Sequence, residues 1–371
     1  MKVLFSCGGT GGHINPAIAI ADTIKQKIPD AEILFVGAEK GMEGTLVPKS
    51  GYDIKFVKVR GFKRKLSLSN IDAAIKAVTS VMAAKKIIKK FGPDVVVGTG
   101  GYASWAAVKA ASKLGIPTVI HEQNAYPGVT TRRLSRYANK VCISFEESKK
   151  FFDNSVLNKM VLTGNPVKPE INTTDRAASR KELGISDNVV YILSFGGSLG
   201  AEKVNEYVFE LLESFVKGNP KVKAIHATGK GGKEKYGVIA KEKGLDKAEN
   251  IEIKDYIYDM HRQLAAADIV ICRAGAITIA ENCCMGKASI LIPSPNVTDN
   301  HQYKNAKVLA DAGAALLLKE SETNGKILTD AVKALASDSR KRGEMCAAAR
   351  SMAKSKAADT IAEIAIKESK K

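Results

Sequence analysis

The chain has 371 residues, 45% of them hydrophobic, and a formal net charge of +18 at pH 7. This length suits two domains, and this hydrophobic content excludes a disordered chain. The excess of basic residues favours an acidic partner: a nucleic acid, an anionic membrane surface or a small phosphorylated ligand.

Short apolar runs alternate with helix-like segments along most of the chain, which is typical of parallel sheets covered by helices on both faces. Predicted strands in the first half lie near residues 3–7, 32–36, 53–58, 94–98, 117–121, 140–143 and 160–163. In the second half they lie near residues 189–195, 222–227, 251–253, 268–272, 289–292 and 314–318. Predicted helices include 71–90, 203–217 and 300–312, with two more beyond about residue 337. We therefore expect an α/β fold.

Two prolines and a glycine in Gly164–Pro169 indicate the domain boundary.

The apolar start of the chain ends at Cys7, and this run is too short for a signal peptide. No window approaches the roughly 18 apolar residues of a membrane span. We therefore expect any membrane contact to be peripheral. The six cysteines show no metal-binding spacing and are expected to be reduced thiols.

Two glycine-rich loops, Gly8–His13 and Gly196–Ala201, each follow a predicted strand and precede a predicted helix. Unpaired N–H groups at a helix N-terminus form a site for anions, and the helix dipole strengthens it. The first loop is not a dinucleotide fingerprint, because Ile14 stands where a third glycine is needed and no acid ends the second strand at Ala38. We expect phosphate or sugar groups at these loops; a purely structural tight turn is the alternative.

His13 follows the first loop at a helix N-terminus, where the dipole favours the neutral imidazole that a general base needs. A structural or ligand-binding role is the alternative for this residue.

Further glycine-rich or polar segments follow other predicted strands: Gly100–Tyr102, His121–Asn124 and Asp299–Gln302. We expect His121–Asn124 to line a site, because four polar side chains in a row are costly to bury and ligands of open α/β sheets bind at the carboxyl ends of strands. Between Arg273 and Glu281, a strand end, a turn of small residues and a helix start suit a diphosphate, with Glu281 on ribose hydroxyls. An ordinary solvated glutamate is the alternative.

A basic stretch from Lys55 to Lys65, with Phe56 and Phe62 interleaved, precedes a helix that has an apolar face and ends in lysines at Lys90. Such a helix suits an anionic bilayer surface; an ordinary core-facing helix is the alternative. The sequence contains no recognisable RNA- or DNA-binding module, so we expect no nucleic-acid partner.

Taken in order, these motifs resemble the MurG family of bacterial N-acetylglucosaminyltransferases, which convert lipid I into lipid II. The resemblance runs from residue 1 to about residue 345 and rests on Gly8–His13, Gly100–Tyr102, His121–Asn124, Gly164–Val167, Gly196–Ala201 and Glu281. It implies a GT-B fold, with two Rossmann-like domains that face each other across a cleft. Residues 1–166 would bind the lipid-linked acceptor and the membrane, residues 167–345 the UDP-sugar donor, and residues 346–371 would form a helix that returns to the first domain.

The resemblance also implies which residues bind each substrate. Those implied for UDP-N-acetylglucosamine are Thr10, Gly11, Gly12, Asn124, Lys168, Ser198, Ile257, Ala276, Ile277, Thr278, Ile279, Ala280, Glu281 and Gln302. Those on the acceptor side are Gly8, Gly9, Gly100, Gly101, Tyr102 and His121.

The implied reaction is an inverting transfer to the C4 hydroxyl of the N-acetylmuramyl unit of lipid I, at the cytoplasmic face of the bacterial cell membrane. His13 is the candidate base. We expect no metal or other cofactor, because no Asp-x-Asp cluster stands at a strand end.

The chain departs from the family pattern at two places. Lys168 replaces a common arginine, which removes a bidentate phosphate contact, and Ala103–Ala106 replaces a sequence of the Ser-Gly-Pro type.

Two other functions remain open. One is a UDP-sugar epimerase or another GT-B UDP-sugar enzyme that acts without a lipid, and the other is a non-catalytic module that binds a sugar nucleotide or RNA.

Overall fold

The computed structural model describes residues 1–59 and 69–370, with the backbone alone at residues 69–74. The basic residues Arg60, Lys63, Arg64 and Lys65 of the predicted membrane segment, together with Phe62, lie outside the described residues. The chain divides into two compact units. Unit 1 comprises residues 1–167 and 354–371, and unit 2 comprises residues 168–353.

The strands of unit 1 are β1 (Lys2–Ser6), β2 (Glu32–Ala38), β3 (Asp53–Val57), β4 (Val95–Gly98), β5 (Thr118–Glu122), β6 (Lys140–Ile143) and β7 (Met160–Leu162). Among the described residues they form a seven-stranded parallel sheet in the order β3-β2-β1-β4-β5-β6-β7. The helices that precede unit 2 are α1 (Gly11–Lys27), α2 (Glu43–Lys49), α3 (Ser69–Phe91), α4 (Gly101–Lys113) and α5 (Val129–Leu134). Strands β4 and β5 are buried along their whole length, as expected of parallel strands covered on both faces.

The strands of unit 2 are β8 (Val190–Phe195), β9 (Val222–Ala227), β10 (Ile251–Lys254), β11 (Ile269–Cys272), β12 (Ala288–Leu291) and β13 (Ala315–Leu317). They form a parallel sheet in the order β10-β9-β8-β11-β12-β13. The helices of unit 2 are α6 (Pro169–Thr173), α7 (Arg176–Glu182), α8 (Glu202–Leu211), α9 (Lys233–Glu242), α10 (Met260–Ala266), α11 (Ala276–Cys284), α12 (His301–Asp311), α13 (Gly325–Ser337) and α14 (Ser339–Ser351).

The last helix, α15 (Ala357–Glu368), belongs to unit 1. Its residues Ile361, Ala362 and Ala365 are buried in the same core cluster as Phe5 and Ile14. The predicted boundary at residue 346 falls inside α14, which stays in unit 2 because Met345 is buried in the core of that unit.

The predicted α/β class is confirmed, and each predicted strand is present within a few residues of its expected position. None of the helices in the described ranges combines the length and the apolar character needed to cross a bilayer.

Candidate functional site

Each sheet has a point at which successive connections leave in opposite directions. It lies between β1 and β4 in unit 1 and between β8 and β11 in unit 2. Ligands of open α/β sheets bind beside such a switch point, at the carboxyl ends of the strands. The loop Gly8–Gly12 follows β1 and Thr99–Gly101 follows β4, while Gly196–Gly200 follows β8 and Arg273–Gly275 follows β11. The predicted loops therefore lie where the topology of each unit places a ligand.

Two glycines allow the loops of unit 1 to touch. Gly100 has φ +115°, and a Cβ atom there would lie 2.5 Å from Nδ1 of His13. Gly101 has φ +82°, and its Cβ would lie 2.5 Å from the backbone oxygen of Gly8. Only glycine combines a positive φ with such a close approach at low cost. These predicted acceptor-side residues thus have a structural role, which is to hold His13 and the first loop against the end of β4.

The first loop presents free N–H groups. The backbone N–H groups of Thr10, Gly11 and Gly12 donate to no described residue, and they stand at the N-terminus of the 17-residue helix α1. Such a helix terminus suits a phosphate or another hydrogen-bond acceptor. The N–H of Gly9 is already engaged, because it donates to Oε2 of Glu43 at 3.0 Å.

Glu43, which the sequence analysis did not single out, is fully buried beneath this loop. Its carboxylate accepts the N–H of Gly9 and, at 2.8 Å, the N–H of Ala38. A Cβ at Gly37 would lie 2.5 Å, and a Cβ at Gly41 1.9 Å, from the Glu43 side chain, so both glycines form its pocket. The predicted acceptor contact at Gly9 therefore has no free N–H group, and it has a carboxylate directly behind it. The sequence signal that could have pointed to Glu43 is the presence of Gly37 and Gly41 shortly before it in the chain.

A continuous chain of hydrogen bonds runs behind the loops of unit 1. Nδ1 of His13 lies 2.8 Å from Oε1 of Gln123. Nε2 of Gln123 lies 2.8 Å from the backbone oxygen of Thr99 and 2.9 Å from Nδ1 of His121. Nε2 of His121 lies 3.0 Å from the backbone oxygen of Gly164. Burial lowers the pKa of His121 to about 4, so this ring is neutral at pH 7.

The segment His121–Asn124, which the sequence predicts to line a site, contains both buried and half-buried side chains. His121, Glu122 and Gln123 are buried, and their polar atoms bond within unit 1. Oε1 of Glu122 accepts the N–H of Asn124, and its Oε2 accepts the N–H of Gly128, each at 3.0 Å. The ring of His121 is fully enclosed, so its placement on the acceptor side stays a prediction, whereas Asn124 is half-buried and the predicted Tyr102 is 46% exposed.

The loop after β8 is held against the neighbouring turn of unit 2. Gly200 has φ +86°, and its Cβ would lie 2.2 Å from the backbone oxygen of Thr228. Nδ2 of Asn205 donates to the same oxygen at 2.9 Å, and its Oδ1 lies 3.1 Å from Nε2 of His226. Sequence reasoning missed this buried support, because it has no local pattern. Ser198 is exposed at the loop tip, and its hydroxyl bonds to no described residue.

Helix α11 begins beside the switch point of unit 2 and carries the predicted segment Ala276–Glu281. Ile279 is only 2% exposed, so it offers a ligand its backbone alone, whereas Ile277, Thr278 and Ala280 are half-buried. Burial raises the pKa of Glu281 to about 7, and the positive charge of Lys168 opposes that shift. The structure therefore brings Lys168 within electrostatic reach of Glu281, although the two are far apart in sequence.

Ile257 and Gln302 also belong to unit 2. Ile257 follows β10 and is 2% exposed, so its side chain is core and only its backbone can bind a ligand. Gln302 lies in the first turn of α12, where its Oε1 accepts the N–H of Ser294 at 2.9 Å. Its amide nitrogen remains a donor for a ligand hydroxyl.

Two family domains match the chain. Residues 3–143 match the glycosyltransferase family 28 N-terminal domain, and residues 191–363 match the glycosyltransferase family 28 C-terminal domain.

Individual relatives extend this match along the whole chain. A protein of Acetivibrio thermocellus named UDP-N-acetylglucosamine--N-acetylmuramyl-(pentapeptide) pyrophosphoryl-undecaprenol N-acetylglucosamine transferase is 45% identical, over 98% of this chain and 97% of that protein. The crystal structure of Acinetobacter baumannii MurG is 30% identical, with a TM-score of 0.78 over 99% of each chain. UDP-GlcNAc 2-epimerase from Neisseria meningitidis, bound to UDP-GlcNAc, is 17% identical with a TM-score of 0.67, over 99% of this chain and 100% of that chain. The epimerase therefore shares the fold alone.

Proposed function

The chain belongs to the MurG family within glycosyltransferase family 28, and from this premise we propose that it transfers N-acetylglucosamine from UDP-N-acetylglucosamine to the N-acetylmuramyl unit of lipid I. The fold is GT-B, as predicted. The observation that carries the proposal is the 45% identity to the Acetivibrio thermocellus transferase over 98% of this chain. The glycine loop at the switch point of each sheet of this chain supports it. The product is lipid II, a precursor of peptidoglycan.

We assign the UDP-sugar donor to unit 2. The exposed hydroxyl of Ser198 and the N-terminus of α11 suit its diphosphate, and Glu281 suits the ribose hydroxyls. The backbone of Ile257 suits the uracil ring, the amide of Gln302 suits the sugar hydroxyls, and the ammonium group of Lys168 adds positive charge near Glu281.

We assign the lipid-linked acceptor to unit 1, and in the proposed reaction its C4 hydroxyl oxygen attacks the anomeric carbon of N-acetylglucosamine. The bond from that carbon to the diphosphate oxygen breaks, with inversion of configuration. His13 takes the hydroxyl proton, and N–H groups stabilise the charge on the departing UDP. The free N–H groups of Gly11 and Gly12 and the amide of Asn124 support contacts to the donor sugar.

Incubation with UDP-N-acetylglucosamine and a soluble lipid I analogue tests this proposal. We expect a disaccharide product and release of UDP only when the acceptor is present. Epimerised UDP-sugar without any acceptor would favour the epimerase alternative, and binding without turnover of either kind would favour a non-catalytic module.

The pH dependence of donor binding tests Glu281. Because burial raises its pKa to about 7, the carboxyl group is mostly protonated at pH 6 and ionised at pH 8. The ionised carboxylate is the stronger acceptor, because charge-assisted hydrogen bonds are roughly twice as strong as neutral ones, so the affinity for UDP-N-acetylglucosamine should rise several-fold between these pH values in calorimetric titrations. The free energy of unfolding should instead fall as the pH rises. A carboxyl group whose pKa is raised in the folded state stabilises the fold at low pH and loses that contribution as the pH rises through 7.

Two substitutions complete this test. Glu281→Gln should abolish the pH dependence, and Glu281→Ala should weaken binding by roughly 1–3 kcal/mol at pH 8. A parent affinity that does not change between pH 6 and pH 8, or full affinity in a folded Glu281→Ala variant, would remove Glu281 from the ribose site.

We also propose that unit 1 binds the anionic surface of the bacterial cell membrane, on its cytoplasmic side, through helix α3. Ile75, Val78 and Met82 are 58%, 63% and 55% exposed, and their spacing places them on one helix face. Lys89 and Lys90 lie in the last turn of the same helix. An exposed apolar face flanked by lysines suits an interfacial helix. The other side of α3 does face the core, where Ala84 and Ile88 are buried, so the core-facing alternative accounts for that side and leaves the exposure of Ile75, Val78 and Met82 unexplained.

Vesicle sedimentation tests this surface. Replacing Ile75, Val78 and Met82 together by Ser should lower affinity for vesicles that contain phosphatidylglycerol by about 100-fold, since each of the three apolar side chains that enter the interface contributes about 1 kcal/mol. Val238→Ser is the matched control, because Val238 is similarly exposed, at 57%, but lies in unit 2.

The charge contribution is tested separately. Replacing Lys63, Arg64 and Lys65 by Gln, at positions outside the described ranges, should weaken binding most at low salt. Parent-like sedimentation of both triple variants would contradict the proposal.

A further inference from the structure

We propose that Gln123 is a positioning residue that fixes the tautomer of His13, so that Nε2 of His13 carries the lone pair available to the acceptor proton. This inference rests on the proposed function for its catalytic meaning. The tautomer itself follows from the hydrogen bonds of unit 1.

A backbone carbonyl dictates which way the Gln123 amide points. The oxygen of Thr99 can only accept a hydrogen bond, and it lies 2.8 Å from one end of the amide, so that end is the NH2 group. The other end is therefore the oxygen Oε1, which also can only accept. Since Oε1 lies 2.8 Å from Nδ1 of His13, that nitrogen carries the proton. A neutral imidazole protonated at Nδ1 has its lone pair at Nε2.

A second backbone carbonyl fixes the other end of the chain. Nε2 of His121 lies 3.0 Å from the oxygen of Gly164 and must donate to it. Nδ1 of His121 then accepts the second N–H of the Gln123 amide, at 2.9 Å. If His121 were doubly protonated, its Nδ1–H would point at the N–H of the Gln123 amide, and two donors would face each other. This ring therefore stays neutral, in agreement with its pKa of about 4. From Gly164 to His13, only one arrangement of protons satisfies every bond.

The surroundings of His13 leave its Nε2 unengaged. Nε2 makes no hydrogen bond to any residue that the structure describes. The hydroxyl of Thr99 donates to the backbone oxygen of His13 at 2.7 Å and holds the start of α1 in place. The absent side chain at Gly100 provides the space that the ring occupies. The ring is therefore held at Nδ1 and at its backbone, and Nε2 is left for a ligand.

Nitrogen-15 NMR of the imidazole groups reads the tautomer without any reaction. In the parent chain, with His13 assigned by comparison with His13→Gln, we expect the neutral form of His13 to be protonated at Nδ1. In Gln123→Met, which keeps the length of the side chain but has no amide, we expect this preference to be lost. The value of kcat for transfer should then fall about 10–100-fold, with little change in KM for either substrate, since only the proton acceptor is disturbed.

Gln263→Met is the matched control. Gln263 is also a buried amide with two side-chain partners, Tyr191 and Asp259, but it lies on α10 of unit 2. It should cost similar stability and leave the His13 tautomer and kcat unchanged.

The outcomes separate this inference from the proposed function. A parent spectrum with the His13 proton at Nε2 would overturn the inference even in an active transferase, and even if Gln123→Met fails to fold. Unchanged kcat in a folded Gln123→Met variant would also overturn it. The expected tautomer in a parent chain that transfers no sugar would instead count against the proposed function alone.

Discussion

His13→Ala should lower the rate of transfer to a lipid I analogue by roughly 10²–10⁴-fold, which is the usual contribution of a general base. The substitution removes the one ring nitrogen that the Gln123 chain leaves without a described partner. UDP binding, measured by calorimetry, should change much less, because His13 belongs to unit 1 and we assign the UDP group to unit 2.

His13→Gln separates the base from a structural role. A glutamine side chain can still donate a hydrogen bond toward Oε1 of Gln123, but it cannot accept a proton at neutral pH. We expect it to be nearly as inactive as His13→Ala. Recovery of most of the parent rate in His13→Gln would identify His13 as a structural residue and leave the base to another polar group.

Gly101→Ala should lower the free energy of unfolding of unit 1 by about 2–5 kcal/mol. A left-handed conformation costs a residue with a side chain about 1–2 kcal/mol, and the new Cβ would lie 2.5 Å from the backbone oxygen of Gly8, which cannot rotate away. Such overlap typically adds about 1–3 kcal/mol. Urea unfolding followed by fluorescence reports on this unit, because the single tryptophan, Trp105, lies on helix α4, which begins at Gly101.

Gly51→Ala isolates the conformational part of this cost. Gly51 has φ +83°, close to the +82° of Gly101, but a Cβ there would meet nothing within 4 Å. It should therefore cost only about 1–2 kcal/mol and leave transfer intact, while Gly101→Ala also displaces the first loop and slows transfer. Equal losses in the two variants would show that the approach of the two loops carries no energetic weight.

The sequence alone determined the α/β class, the positions of the strands along the chain and the glycine loops. This was possible because parallel strands covered on both faces are short runs of apolar, often β-branched residues, such as Val95–Val97. Such a run can be recognised from a few consecutive residues, without knowledge of distant neighbours. The loops Gly8–Gly12 and Gly196–Gly200 were visible for a similar reason, since a strand, a glycine turn and a helix start are contiguous in the chain.

The tertiary structure decided which polar side chains support the site and which are free to bind. Glu43 lies beneath the Gly9 N–H, and Gln123 joins His13 to His121, through contacts between residues that are 34 and 110 positions apart. The sequence places His121, Gln123 and Asn124 together as equivalent polar residues, yet two are enclosed and only Asn124 is half-buried. Burial and hydrogen-bond partners depend on neighbours brought together by folding. The tautomer of one imidazole therefore depends on the backbone oxygens of Thr99 and Gly164, which local pattern does not specify.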